Sequence, residues 1–194
     1  NIDVLDATAL LRAATLVKDN EQKVAIYKKA ADKFDCAAAK YNMAVTYIQM
    51  NELAKASSVL EGLAKDSDWY NAMGVIALRK DDLAQATEYF TKANSKTAKE
   101  NAAVVDVLNG KDADAAAKLA GVESYNAALV QLLLGNNAPA AALKCQCPNA
   151  AYLRAVAAAR QGNAEAVKTN LEAAGKCEKL AARAEKDVEF AQYK

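Results

Sequence analysis

The sequence predicts an all-α fold, a helical solenoid of stacked hairpins, on three observations. About a quarter of the 194 residues are alanine, against 7 glycines and 2 prolines. That favours helix nearly throughout, because alanine loses no side-chain entropy in a helix. Apolar residues recur at helical spacing along almost the whole chain, interrupted every dozen or so residues by short polar breaks. Finally, Met43-Ala44, Met73-Gly74 and Ala103-Val104 stand thirty residues apart, each twelve residues ahead of an alanine: Ala56, Ala86 and Ala116. A small residue at the first place lets the two helices of a hairpin approach closely, and one at the second lets the next hairpin stack; Val104 is the bulkiest occupant. A period of this kind marks a helical repeat array.

The elements follow from the breaks. A first hairpin, about Ala7 to Lys33, turns at Lys18-Asp19-Asn20 and ends at Phe34-Asp35. Four more turn at Met50-Asn51, Lys80-Asp81-Asp82, Asn109-Gly110-Lys111-Asp112 and Gly135-Asn136-Asn137, and a sixth at Gln161-Gly162-Asn163. Between them lie Lys65-Asp66-Ser67-Asp68, Asn94-Ser95, Gly121-Val122, Cys147-Pro148-Asn149 and Gly175-Lys176. Asn, Asp and Ser at such points cap the following helix, and glycine closes the preceding one in the left-handed conformation. Pro148 falls at a helix boundary, and Pro139 fits a first turn, where its missing N–H costs nothing. The fourth and fifth second helices, around 113–119 and 138–144, span barely two turns each. A capping helix from about Glu178 to Tyr193 closes the array, and residues 1–194 read as one solenoid domain.

Composition narrows the function classes. The formal charge is +1, from 25 basic and 24 acidic residues, so the basic excess of a nucleic-acid binder is missing. No run of about 18 apolar residues exists to span a membrane. The chain starts at Asn1 without methionine or a charged-then-apolar leader and reads as a processed or excised piece of a longer protein. With no histidine, neither a Ser–His nor a Cys–His nucleophile pair can form, and the isolated glycines make no phosphate-cradling loop. Paired acids such as Asp81-Asp82 and Asp112/Asp114 read as turn and cap residues. The Lys/Glu alternation of Glu178–Glu189 reads as a solvated face. No enzyme, cofactor or metal site is expected.

The stretch from Trp69 to Asn94 carries Tyr70, Met73, Gly74, Ala77 and Leu78, then the Asp81-Asp82 turn, then Ala86, Tyr89-Phe90 and Ala93. It resembles the tetratricopeptide repeat. The preceding unit matches through Met43, Ala44, Tyr47, Ala56 and Leu60, and the last hairpin through Ala155, Gly162, Leu171 and Ala174. Equivalent first-helix positions are Ala44, Gly74, Val104, Ala128 and Ala155, closer together than the family's usual repeat of about 34 residues. The first hairpin fits poorly, with Lys28 where an aromatic belongs, and reads as a cap or as the continuation of a longer array. The stretch Leu10–Leu16, with Asp19-Asn20 and Ala25-Ile26-Tyr27, resembles the entry to the tetratricopeptide region that closes certain OmpA-like, peptidoglycan-associated envelope proteins of Gram-negative bacteria. Lys186–Ala191 resembles its exit and Tyr125–Leu129 an internal copy. That resemblance implies a periplasmic or outer-membrane-associated chain; the alternative is cytoplasmic.

The family resemblance implies a concave groove lined by first helices. The residues after the small positions point inward: Val45, Val75, Val105, Leu129 and Val156. Three residues before the small positions stand Tyr41, Asn71, Asn101, Tyr125 and Tyr152. One turn beyond lie Ile48, Gln49, Leu78, Arg79, Leu108 and Arg160. This implies an apolar stripe with aromatic and amide edges, suited to a protein or peptide partner. The same side chains could instead pack neighbouring first helices, or a final helix folded into the groove. The family's carboxylate clamp is not rebuilt by Asn42 and Asn126, because valine or leucine fills its second asparagine position in every copy. Cys36, Cys145, Cys147 and Cys177 read as buried thiols near hairpin boundaries; if the chain is exported, a disulfide between Cys177 and either Cys145 or Cys147 is the pairing to expect. The function expected is a non-catalytic binding scaffold; the alternative is a structural spacer or self-associating homo-oligomer segment with no free groove.

Overall fold

The computed structural model describes residues 2–193, which contain helices and no strands. After a 3-10 turn, Ile2–Val4, come α1 (Ala7–Leu16), α2 (Asn20–Phe34), α3 (Ala37–Gln49), α4 (Leu53–Glu61), α5 (Ser67–Arg79), α6 (Leu83–Ala93) and α7 (Lys96–Leu108). They are followed by α8 (Asp112–Lys118), α9 (Tyr125–Leu133), α10 (Ala138–Ala141), α11 (Pro148–Arg160), α12 (Ala164–Ala174), α13 (Glu178–Lys186) and a C-terminal 3-10 segment, Val188–Tyr193. The polar breaks act as caps. Asp6, Asp19, Asp66, Asp82, Ser95, Ser124 and Asn163 each accept a hydrogen bond from the backbone N–H three residues on, filling one of the donors a helix start leaves open. Both prolines sit in first turns, of α10 and α11.

A common register runs through all six hairpins. Ala14 and Ile26, Ala44 and Ala56, Gly74 and Ala86, Ala103 and Ala115, Ala128 and Ala140, and Ala155 and Val167 are twelve residues apart and buried. In the last five the turn residue seven positions after the first member (Asn51, Asp81, Gly110, Gly135, Gly162) has the left-handed backbone that closes the first helix. This corrects the third hairpin by one residue: Ala103 and Ala115 are buried, while Val104 and Ala116 are only partly so. The first hairpin shares the buried pair but turns differently, leaving α1 through an extended Val17. Ala30 stands where Leu60 and Phe90 stand later, and Tyr27 supplies the missing bulk.

Closeness within a hairpin is sharpest at Gly74. A Cβ there would lie 2.5 Å from the Phe90 ring, so α5 and α6 approach only because the side chain is absent. Trp69 donates its indole N–H to the carbonyl of Leu60 at 2.9 Å, tying α5 back to α4.

One compact unit runs to Val105 and a second begins at Asp106. The first has a core of Leu10, Ala14, Ile26 and Tyr27, continued by Leu60, Trp69 and Ile76 and then by Phe90 and Val105. The second centres on α11, with Leu132, Leu153, Val156, Val167 and Phe190. Within it buried Asp106 pairs with Lys118, which holds α8 although that helix has only seven residues.

Three expectations need correction. The fifth hairpin's second helix is a single turn, Ala138–Ala141, because the chain beyond it is held out of the helix by Arg154, whose Nη1 donates to the carbonyls of Leu143 and Cys145 at 2.9 and 2.7 Å. The C-terminal helix breaks at Asp187, whose backbone is extended and whose carboxylate accepts from the Glu189 N–H at 3.0 Å. The disulfide joins Cys145 to Cys147, with Cα atoms 5.5 Å apart, and Cys36 and Cys177 are free, half-buried thiols. With only Gln146 between them, the two Cα atoms lie at ordinary disulfide distance, so the nearer partner wins.

Candidate functional site

The thirteen candidate groove residues fall into two groups of different character. In the first unit α3 presents Tyr41, Val45 and Gln49, and α5 presents Asn71, Val75 and Arg79, each set four residues apart and so on one helix face. Tyr41, Val45, Asn71, Val75 and Asn101 are half-buried, and Gln49 and Arg79 are exposed. The row is continuous: Asn101 of α7 donates its side-chain amide to the Asn71 oxygen at 3.0 Å. Val105 departs from it. Only 1 % exposed, it packs with Ala77, Phe90 and Ala98, because the one-residue register change turns it inward.

At the α3 end the row opens into a pocket of about 240 Å³. Ala37, Ala38, Tyr41 and Asn42 form one wall, and Leu63, Ala64, Asp66, Asp68 and Trp69 the other. Burial, followed by the charges of Asp68 and Asp66, holds the Tyr41 hydroxyl above its ordinary pKa. An apolar floor rimmed by two carboxylates and a phenol suits a cationic group on an aliphatic stem. The two aspartates escape a repeat-based reading because Asp66 reads there as a cap, which it also is.

In the second unit the positions are largely occupied by the chain itself. Tyr125 remains 37 % exposed, its hydroxyl pKa raised by burial against a smaller opposing effect of Arg183, and Leu129 is half-buried. Tyr152 and Val156 are buried in the core. Tyr152 donates its hydroxyl to Asp187 at 2.6 Å, stacks edge-on to Phe190 with centroids 5.6 Å apart, and carries the Arg183 guanidinium 5.2 Å from its ring centroid. Arg160 reaches Glu189 Oε1 from Nε at 2.8 Å and Nη2 at 2.6 Å, and gives Nη1 to the Leu132 carbonyl. Tyr193 donates to the Ala159 carbonyl at 2.9 Å. The C-terminal segment therefore covers these side chains of α11. Asp187, Glu189, Phe190 and Tyr193 were outside the candidate set; the signal available in sequence was the aromatic and acidic content of 187–193, which a uniform solvated helix would not explain.

Among the described residues no group of three or more acidic or cysteine side chains is placed to hold a metal ion. Among the same residues no helix is long and apolar enough to cross a membrane.

No family model and no curated protein sequence matches the chain. Solved structures do. A tetratricopeptide repeat protein from Parabacteroides merdae is similar at a TM-score of 0.67 and 15 % identity, covering 90 % of this chain and 79 % of that one. PilW, a type IV pilus biogenesis factor, is similar at 0.64 and 18 %, covering 96 % and 97 %. A thermophilic tetratricopeptide protein of Thermus thermophilus is similar at 0.55 and 14 %, covering 91 % and 96 %. At these identities the likeness is one of fold: the chain has the helical-repeat solenoid fold of tetratricopeptide proteins.

Proposed function

We propose that the chain is a non-catalytic scaffold that binds a protein or peptide segment along the first-helix face of its first unit. The observation that carries this reading is the half-exposed row Tyr41, Val45, Asn71, Val75 and Asn101, which ends in the pocket walled by Asp66 and Asp68. Apolar side chains flanked by amides suit a segment whose own backbone needs hydrogen bonds. The carboxylates favour a lysine or arginine at its end. Stacked hairpins hold the face in place beforehand, so little order is lost by the protein on binding.

A displayed random-peptide library selected against the whole chain tests this. Enriched peptides should carry a basic residue, and Val45→Arg with Asp68→Asn should weaken them more than ten-fold while helicity by circular dichroism is retained. Peptides enriched without a basic residue, or bound equally by the double variant, would overturn the assignment.

The reading as a spacer with its groove filled by its own chain has one observation in its favour, the C-terminal segment lying on α11. Light scattering over a range of concentrations separates a self-associating segment from a monomeric binder. Placement in the cell envelope of a Gram-negative bacterium rests on the resemblance of Leu10–Leu16 and Lys186–Ala191 to an envelope protein's region.

A further inference from the structure

We infer that Cys145 and Cys147 form a reversible thiol–disulfide exchange site whose co-reactant is a low-molecular-weight thiol or dithiol. The bond lies in the non-helical segment ahead of α11, with Cys145 exposed and Cys147 half-buried. It closes a loop of only three residues, so it removes little conformational freedom from the unfolded chain and has little structural work to do. The segment is held independently of it. Arg154 binds the carbonyls of Leu143 and Cys145 and, through Nε at 2.8 Å, the side chain of Asn170 on α12. Opening the disulfide leaves those bonds in place.

The two sulfurs sit in different surroundings. Cys147 is the residue that caps α11, and its side chain makes no hydrogen bond to the first amides of the helix, as the free Cys36 and Cys177 make none at the starts of α3 and α13. Once released, it becomes a thiolate beside a helix N-terminus, the setting that stabilises one. The Cys147 N–H donates to the Cys145 sulfur at 3.2 Å, and Lys144 precedes it.

The exchange follows from this asymmetry. An incoming thiolate attacks the exposed Cys145 sulfur and forms a mixed disulfide. The Cys145–Cys147 bond breaks, and its electron pair leaves on Cys147. A second thiolate attacks the outer sulfur of the mixed disulfide and releases Cys145 as a thiolate. Two thiols are oxidised to one disulfide, the protein pair is reduced to two thiols, and the two protons pass from the thiols to the cysteines. Oxidised thiol reverses the sequence.

The test uses the full chain with Cys36→Ser and Cys177→Ser, glutathione as the thiol, and alkylation followed by mass spectrometry. In the folded protein the pair should open in reduced glutathione with circular dichroism unchanged, and close again in oxidised glutathione without retained adduct. With Cys147→Ser added, one glutathione should remain on Cys145. With Cys145→Ser added, Cys147 should alkylate at pH 7 about ten-fold faster than in the urea-unfolded chain, the effect of a thiolate favoured by its site. A pair that opens only on unfolding, that ends doubly glutathionylated, or that never forms under oxidised glutathione would overturn the proposal. An unaccelerated Cys147 would do the same. The opening and re-closure measured without the added serines keep the test decisive if either single-cysteine variant fails to fold.

Discussion

Gly74 shows how much of this fold rests on absent atoms. Its missing Cβ is the space the Phe90 ring occupies, and Phe90 is itself 2 % exposed. Gly74→Ala should therefore destabilise the first unit by about 1–3 kcal/mol, the usual cost of overpacking a close contact, although alanine is the better helix former. Phe90→Leu in the same chain should recover part of the loss, and urea titration followed by Trp69 fluorescence measures both. A stabilised single variant would mean that α5 and α6 are not so close. The same scale holds the clearest case of legibility. Asn51, Asp81, Gly110, Gly135 and Gly162 are readable in the sequence as turn residues, and counting seven back from each finds Ala44, Gly74, Ala103, Ala128 and Ala155. Anchoring instead on a thirty-residue spacing misplaces the third hairpin by one, and that single residue moves Val105 from the presumed groove into the core.

Single elements respond to what touches them as much as to their own propensity. The last stretch of chain is charged and helix-prone along 178–186, and α13 forms there. Beyond it Phe190, only 1 % exposed, has to reach the core, and Asp187 makes the turn that lets it do so. The cost of that arrangement is legible in Tyr152. Burial first, then its hydrogen bond to Asp187 and that carboxylate's charge, push its hydroxyl up to about 12. A tyrosine whose folded pKa lies above the unfolded value of about 10 gives stability that is complete below pH ~10 and is lost as pH rises from there through about 12. Alkaline unfolding of the second unit should steepen in that window, and Tyr152→Phe should flatten it when followed by circular dichroism. An unchanged alkaline profile in the variant would remove Tyr152 from the explanation. The single turn of α10 has a similar origin. Ala140–Ala142, after Pro139 in the first turn, would continue as a helix, but Arg154 draws the carbonyls of Leu143 and Cys145 to itself.

For the whole molecule, α7 runs through the boundary between the two compact units, since Lys96–Leu108 contains both Val105 and Asp106. On that ground residues 1–194 are proposed to unfold as one solenoid domain. Trp69, the sole tryptophan, reports on the first unit alone, whereas circular dichroism reports on both. Coincident urea midpoints are expected, and separated ones would divide the chain into two domains. Hairpins, caps and the small-residue register were decided by the sequence alone, because each depends on residues within about a dozen positions of one another. The two prolines in first turns, the aspartate and serine caps and the buried alanine pairs are all of that kind. What lies on the binding face was not decided there. Tyr41 and Tyr152 hold the same place in their repeats, yet one borders an open pocket and the other lies beneath Asp187 and Phe190, some 35 residues further along. Exposure of a repeat position depends on which distant segment covers it, and the repeat pattern carries no record of that. The pairing of Cys145 with Cys147 was left to tertiary structure for the same reason: it required knowing that Arg154 holds their segment outside the helices on either side.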